Sequence, residues 1–183
     1  MGVLTEAALI QQVRHDRAAG RSLVFANGCF DILHVGHARY LAAAATEADR
    51  LIVAVNDDAS VAALKGAGRP IQDAADRAEL LAALNVVDYV VVFPDRTAGR
   101  LLSLLQPDVH CKGTDYTVDT VPERDIVSAY GGRTVIVGGA KDHSTRDVIG
   151  RIRAGDRGEV EGGGGAEQRR ECGDVATSTG PGD

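Results

Sequence analysis

The chain has 183 residues, 44% of them hydrophobic but only 4% aromatic and none tryptophan, so a core of ordinary domain size has to be assembled from Ala, Val, Leu and Ile. The formal net charge is -6, and its sign is unevenly spread: residues 155–183 hold seven acids against three arginines, and the first 154 hold 19 acids against 17 bases. Near-balance in the main body excludes the electrostatic footprint of a duplex-binding protein, and no nucleic-acid partner is expected.

In chain order, Leu9, Ile10 and Val13 recur at helical spacing, with Thr5 as N-cap and Gly20 as stop. The run LVFA (23–26) is too short for a helix and apolar enough for a buried strand. After the loop NGCFDILHVGH (27–37), a helix begins near Gly36 and runs through ARYLAAAATEA (38–48). LIVAVN (51–56) is a second strand, ADRAELLAALN (75–85) a helix and DYVVVF (88–93) a third strand. TAGRLLSLLQ (97–106) reads as a helix ended by Pro107, and DVHC (108–111) as a fourth strand. VPERDIVSAYGG (121–132) places Pro122 in its first turn and glycine at its end, as a helix prefers. RTVIVG (133–138) is a fifth strand, and STRDVIGRIRA (144–154) a closing helix.

Strands that are apolar throughout and alternate with helices predict an α/β fold: a Rossmann-like, five-stranded parallel sheet with helices on both faces, over residues 1–154. From 155 to 183 the chain turns glycine-rich and acidic and lacks Leu, Ile and Phe, which predicts a disordered tail. Three cysteines, Cys29, Cys111 and Cys172, without a CxxC pair argue against a disulfide framework. No signal-peptide start and no apolar stretch near the ~20 residues of a bilayer span are present. A soluble, cytoplasmic protein without a membrane partner is expected.

In parallel sheets, ligands bind beyond the carboxyl ends of the strands, where connections diverge. The segments after strands one, two and four, NGCFDILHVGH, NDDAS and KGTDY, are all polar and share that rim. At the first of them a helix N-terminus offers unpaired N–H groups and partial positive charge. Gly36 admits a phosphate to the backbone, and His34 and His37 flank it; a polyanion there raises their pKa values. Three other readings stay open: plain core or surface histidines, a zinc site using Cys29, His34 and His37, and a Cys29 nucleophile with a histidine base.

NGCFDILHVGH resembles the HxGH signature of the cytidylyltransferase-like nucleotidyltransferases. The likeness continues through LIVAVNDDASVAALKGAGRPI, DRAELLAALNVVDYVVVF, PDVHCKGTDY and the Ser-Thr pair heading the last helix. Residues 5–153 resemble the adenylyltransferase domain of the bacterial heptose kinase/adenylyltransferases, which make ADP-heptose. The resemblance implies transfer of AMP from ATP to a sugar 1-phosphate, with His34, His37 and Lys65 catalytic. It places the nucleotide on Asn27, Gly28, Cys29, Phe30, Asp31, Gly36, Asp115, Ser144 and Thr145, and the phosphates of the substrates on Arg69, Arg77 and Lys112.

Each position has a plainer alternative. Phe30 could pack in the core, and Asp31 and Asp115 could cap turns. Lys65, which with Arg69 brackets two glycines in a cationic loop, could be merely solvated. Arg77 could pair on a helix surface, and Ser144 and Thr145 could simply cap a helix. Two departures from the family pattern stand out: Thr114 where KGGDY is usual, and Arg146 where a second threonine is usual. The resemblance further implies Mg²⁺ riding on the triphosphate without a protein metal site, a separate sugar kinase upstream, and a homodimer. A cytidylyltransferase for glycerol or ethanolamine phosphate and a non-catalytic nucleotide-binding module are the rival functions.

Overall fold

The structure, a computed structural model, describes residues 2–139 and 144–155. The expected tail therefore lies outside the described residues, apart from Gly155, which ends the last helix. Six parallel strands form one sheet: β1 (Gly2–Leu4), β2 (Leu23–Gly28), β3 (Arg50–Asn56), β4 (Tyr89–Phe93), β5 (Val109–Lys112) and β6 (Arg133–Ile136), in the order β1-β4-β3-β2-β5-β6. Five of these match the expected strands. The sixth, β1, pairs Gly2–Leu4 with Tyr89–Val91 at one edge; three residues are too few to show any periodicity.

Alternation along the strands sets the layers. Leu23, Phe25, Ile52, Ala54, Val91 and Phe93 face one side, where α1 (Glu6–Ala18), α5 (Gly99–Leu105) and α6 (Arg124–Ala129) supply Leu9, Val13, Leu101, Leu102, Leu105 and Val127. Val24, Ala26, Leu51, Val53, Val55 and Val90 face the other, against Leu41 and Ala44 of α2 (Val35–Ala45) and Ala78 and Leu81 of α4 (Ala74–Ala82). Leu9, Leu41 and Leu81 are fully buried, each stabilising the fold by about 1.5–3 kcal/mol.

Helix boundaries follow local chemistry. Thr5 caps α1 by accepting from the Ala8 N–H at 3.2 Å, and Gly20 (φ 72°) turns the chain just beyond its end. The stretch after β3, expected as loop, is instead α3 (Asp58–Lys65). Asp57 caps it through the Ser60 N–H at 2.7 Å, and Val61 anchors it in the interior. The last turn of α5 closes on Gln106 in the left-handed region (φ 47°), just before Pro107. α7 (Thr145–Gly155) closes the described chain.

The strand order reverses at β2: the chain moves from β2 to β3 on one side and later places β5 on the other. Connections leaving β2 and β5 therefore part company at their carboxyl ends, the place where open parallel sheets form their ligand-binding crevice.

Candidate active site

The first wall of the crevice is the β2–α2 loop. Phe30 takes a left-handed backbone (φ 47°) and tucks its ring into the core, only 4% exposed. Gly28 gives that ring room: an added Cβ would lie 3.2 Å from it, a tight contact the ring would have to shift to relieve. Of the two readings of Phe30, its side chain takes the core position, leaving its backbone at the loop.

His34 is the N-cap of α2, and its Nδ1 accepts from the Gly36 N–H at 3.1 Å. The cap places the proton of a neutral His34 on Nε2. His37 lies one turn on, stacked on His34 with centroids 3.9 Å apart and planes at 26°, and edge-on to Phe30 at 5.3 Å. Burial, and secondarily the neighbouring His34, push the His37 pKa down to about 4, against a hydrogen bond with the Ile32 backbone that acts the other way. His37 is thus neutral at physiological pH. An incoming polyanion would oppose that shift.

Asp31 and Arg77 do not line this wall as ligands; they build it. Asp31 is 2% exposed. Its Oδ1 accepts from the Ile71 N–H at 2.6 Å and the Gln72 N–H at 3.1 Å, and its Oδ2 pairs with Arg69. Both predicted side chains, Asp31 and Arg69, are thereby engaged with each other. Arg77 is fully buried. It donates to the Gln72 carbonyl at 2.9 Å, to the Cys29 carbonyl, and to Asp58 at 2.7 Å. The substrate-phosphate role expected of Arg77 requires exposure that the folded chain denies it.

The second wall is the end of β5. Register pairs Phe25 with His110, so Asn27, His110 and Lys112 share one face of the sheet. The Asn27 Oδ1 accepts from Lys112 Nζ at 3.0 Å and lies 3.1 Å from His110 Nε2. Lys112, 7% exposed, also faces Glu123 Oε2 at 3.5 Å, and Glu123 Oε1 accepts from the Ala98 N–H at 3.2 Å. Burial lowers the Lys112 pKa, while the Glu123 charge and hydrogen bond oppose that change. Burial and Lys112 together push His110 down to about 3. His110 and Glu123 escaped the sequence reading; the alternation V-H-C-K, which puts His110 two positions before Lys112, was the signal for the first.

The remaining predicted residues frame the opening. Lys65 is the last residue of α3, exposed, rather than a mid-loop lysine. Burial raises the Cys29 thiol pKa, outweighing the charges of Lys65, Arg77 and Arg69, which favour the thiolate. That works against a Cys29 nucleophile. Among the described residues, no three His, Cys, Asp or Glu side chains group closely enough to hold a metal ion, so Cys29, His34 and His37 do not form the zinc site considered above.

Thr114 does not take a positive φ, and its hydroxyl donates to the Gly139 carbonyl at 3.2 Å. The loop thus needs no second glycine. Asp115 next to it is exposed, and the Tyr116 ring lies 5.4 Å from Lys112 Nζ. Ser144 caps α7 through the Asp147 N–H at 3.2 Å, while the Thr145 hydroxyl reaches toward the Ile32 carbonyl at 3.5 Å, bringing the start of α7 to the β2–α2 loop.

Comparison with known proteins comes to the same place. A family model described as cytidylyltransferase-like matches residues 25–152. The chain is 51% identical over 152 residues to the bifunctional protein HldE of Pseudomonas fluorescens (strain SBW25), covering 83% of this chain and 32% of that protein. It is 50% identical over 152 residues to the protein of the same name from Ectopseudomonas mendocina (strain ymp), with the same coverage of 83% and 32%. The chain thus spans about a third of the length of the curated relatives it matches. Among solved structures, a lipopolysaccharide core biosynthesis protein from Thermoplasma volcanium GSS1 superposes with a TM-score of 0.56 at 29% identity, over 65% of this chain and 98% of that one.

Proposed function

The chain belongs to the cytidylyltransferase-like family, and from that premise we propose that it transfers AMP from ATP to a sugar 1-phosphate, D-glycero-β-D-manno-heptose 1-phosphate, giving an ADP-sugar and pyrophosphate. The observation that carries the reading is the His34–His37 stack on the N-terminus of α2, set at the reversal of strand order. The likeness to the bifunctional HldE proteins and to a lipopolysaccharide core biosynthesis protein supports the heptose acceptor.

The triphosphate lies along the start of α2, where N–H groups and the helix dipole favour negative charge. An oxygen of the sugar phosphate attacks the α-phosphorus in line. The bond from that phosphorus to the bridging oxygen breaks, and the electron pair leaves with pyrophosphate. Such transfers rest on positioning and charge stabilisation rather than on a protein nucleophile. His34, His37 and Lys65 stabilise the departing charge, Lys112 serves the substrate phosphates, and Asp115 lies at the edge shared by nucleotide and sugar phosphate. Magnesium enters as part of the MgATP substrate, where it would neutralise part of the triphosphate charge.

A kinase reaction has to supply the sugar 1-phosphate, whether its domain is joined to this one or separate. A cytoplasmic homodimer is the proposed setting; no helix among the described residues is long and apolar enough to cross a membrane. The test is a pyrophosphate-release screen crossing ATP, CTP and GTP with heptose 1-phosphate, other sugar 1-phosphates, glycerol phosphate and ethanolamine phosphate. Turnover with ATP and heptose 1-phosphate supports the reading. Turnover confined to CTP with an alcohol phosphate overturns it, as does nucleotide affinity without any pyrophosphate.

A further inference from the structure

Arg77 is the largest fully buried side chain in the protein's described interior, and a guanidinium is retained in an apolar setting only when its donors are satisfied. Here each acceptor comes from a different piece of the site. The Cys29 carbonyl belongs to the β2–α2 loop that leads to His34 and His37. The Gln72 carbonyl belongs to the segment that Asp31 grips through the Ile71 and Gln72 N–H groups. Asp58 is the first residue of α3, whose last residue is Lys65.

Between Lys65 and that gripped segment, Gly66 and Gly68 take positive φ values of 92° and 78° with open space around them. The loop alone therefore does little to hold Lys65. Val61 seats α3 in the interior, and the polar tie between α3 and the histidine loop is the planar fork of Arg77, reaching three acceptors in fixed relative directions.

We propose that Arg77 is a positioning residue: from the interior it ties α3, and through it Lys65, to the loop carrying His34 and His37, so that the cationic and imidazole halves of the site keep one register. This rests on the nucleotidyltransferase reading for what Lys65 does, but not for what Arg77 holds. A lysine at position 77 keeps the charge and cannot span three acceptors. Its effect on turnover should then run through Lys65.

The experiment is a double-mutant cycle on the whole chain, with Arg77→Lys, Lys65→Ala and the combination assayed by pyrophosphate release, and amide hydrogen exchange measured in parallel. Arg77→Lys should lower kcat about 30-fold in the parent and less than about threefold in the Lys65→Ala background, because the two act as a unit. Exchange should quicken in residues 29–37 and 58–72 and stay slow in β3 and β4. Should Arg77→Lys not fold, Asp58→Asn serves, its side chain being 48% exposed; the expected loss is about three- to tenfold, again suppressed by Lys65→Ala.

Multiplying losses in the two backgrounds, or uniformly faster exchange across the sheet, overturns the proposal. Absence of turnover in the parent sinks the functional reading instead, and the exchange pattern still decides whether Arg77 joins the three segments.

Discussion

Replacing His37 by alanine separates chemistry from stability, because the structure assigns the ring different magnitudes in each. Its contacts are a stack on His34 at 3.9 Å and an edge contact with Phe30 at 5.3 Å. Aromatic pairs of this kind contribute about 0.5–1.5 kcal/mol, which in a domain of this size shifts the melting temperature by about 2–5 °C. In the transition state the ring would be one preorganised group facing developing negative charge, and losing such a group costs about 10²–10³ in kcat. His37→Ala should therefore melt within a few degrees of the parent and turn over at least a hundredfold more slowly, with a smaller change in KM. Pyrophosphate release and thermal unfolding on the same preparation read the two effects. A folded variant with turnover within about threefold of the parent would refute the reasoning; such a value lies below the range for one lost transition-state donor.

Three further outcomes are expected. The fully buried His110 is neutral with its pKa near 3, below the ordinary value of the unfolded chain, so its stabilising effect is complete above pH ~6.5 and is lost as the pH falls and the unfolded state alone takes the proton. Between pH 7 and pH 5 the parent should lose about 2 kcal/mol more stability than His110→Asn, which keeps the acid sensitivity of His37; equal acid sensitivity in both would count against it. Lys112→Met leaves the Glu123 carboxylate buried without its cation and should destabilise by about 3–5 kcal/mol. Adding Glu123→Gln should recover much of that in urea melts, and no recovery would mean the pair is not coupled. Thr114→Gly removes the bond to the Gly139 carbonyl and should cost about 1–2 kcal/mol while raising KM for the sugar phosphate more than it changes kcat; unchanged KM would detach this loop from the acceptor.

Where the sequence was readable, a local pattern and a tertiary need coincided. The β2, β3 and β4 runs are apolar on both faces because helices cover both faces, and the HxGH loop is legible because a turn, a glycine and a helix start follow in order. β1 was not legible, since three residues pair only by leaning on β4. α3 was hidden by the aspartates and glycines around it, although Asp57 is a good N-cap and Val61 a good anchor. Arg77 misled for a different reason. A DR pair at a helix start looks the same whether the arginine faces solvent or the interior, and only the meeting of Cys29, Asp58 and Gln72 in space decides it.

Much of the buried polarity, though not Asp16, which pairs with Arg21 and Tyr89 under α1, lies at the same site. An interior made of alanine and branched aliphatics has no need of Asp31, Arg77, His110, Lys112 or Glu123, and each would cost several kcal/mol if left unpaired. Yet all five are under a tenth exposed, and they fall into two groups, one under the β2–α2 loop and one under the end of β5. The carboxyl ends of β2 and β5 are where the strand order reverses. Apolar packing could have closed those ends just as well for stability alone. Directional bonds fix backbone carbonyls, N–H groups and an exposed lysine at set distances from one another, which apolar contact does not. On the proposed function, polar networks on either side of the strand-order reversal would hold two phosphates in line, which is the reason to expect Arg77→Lys and Lys112→Met to disturb substrate alignment on opposite sides: nucleotide for the first, acceptor for the second.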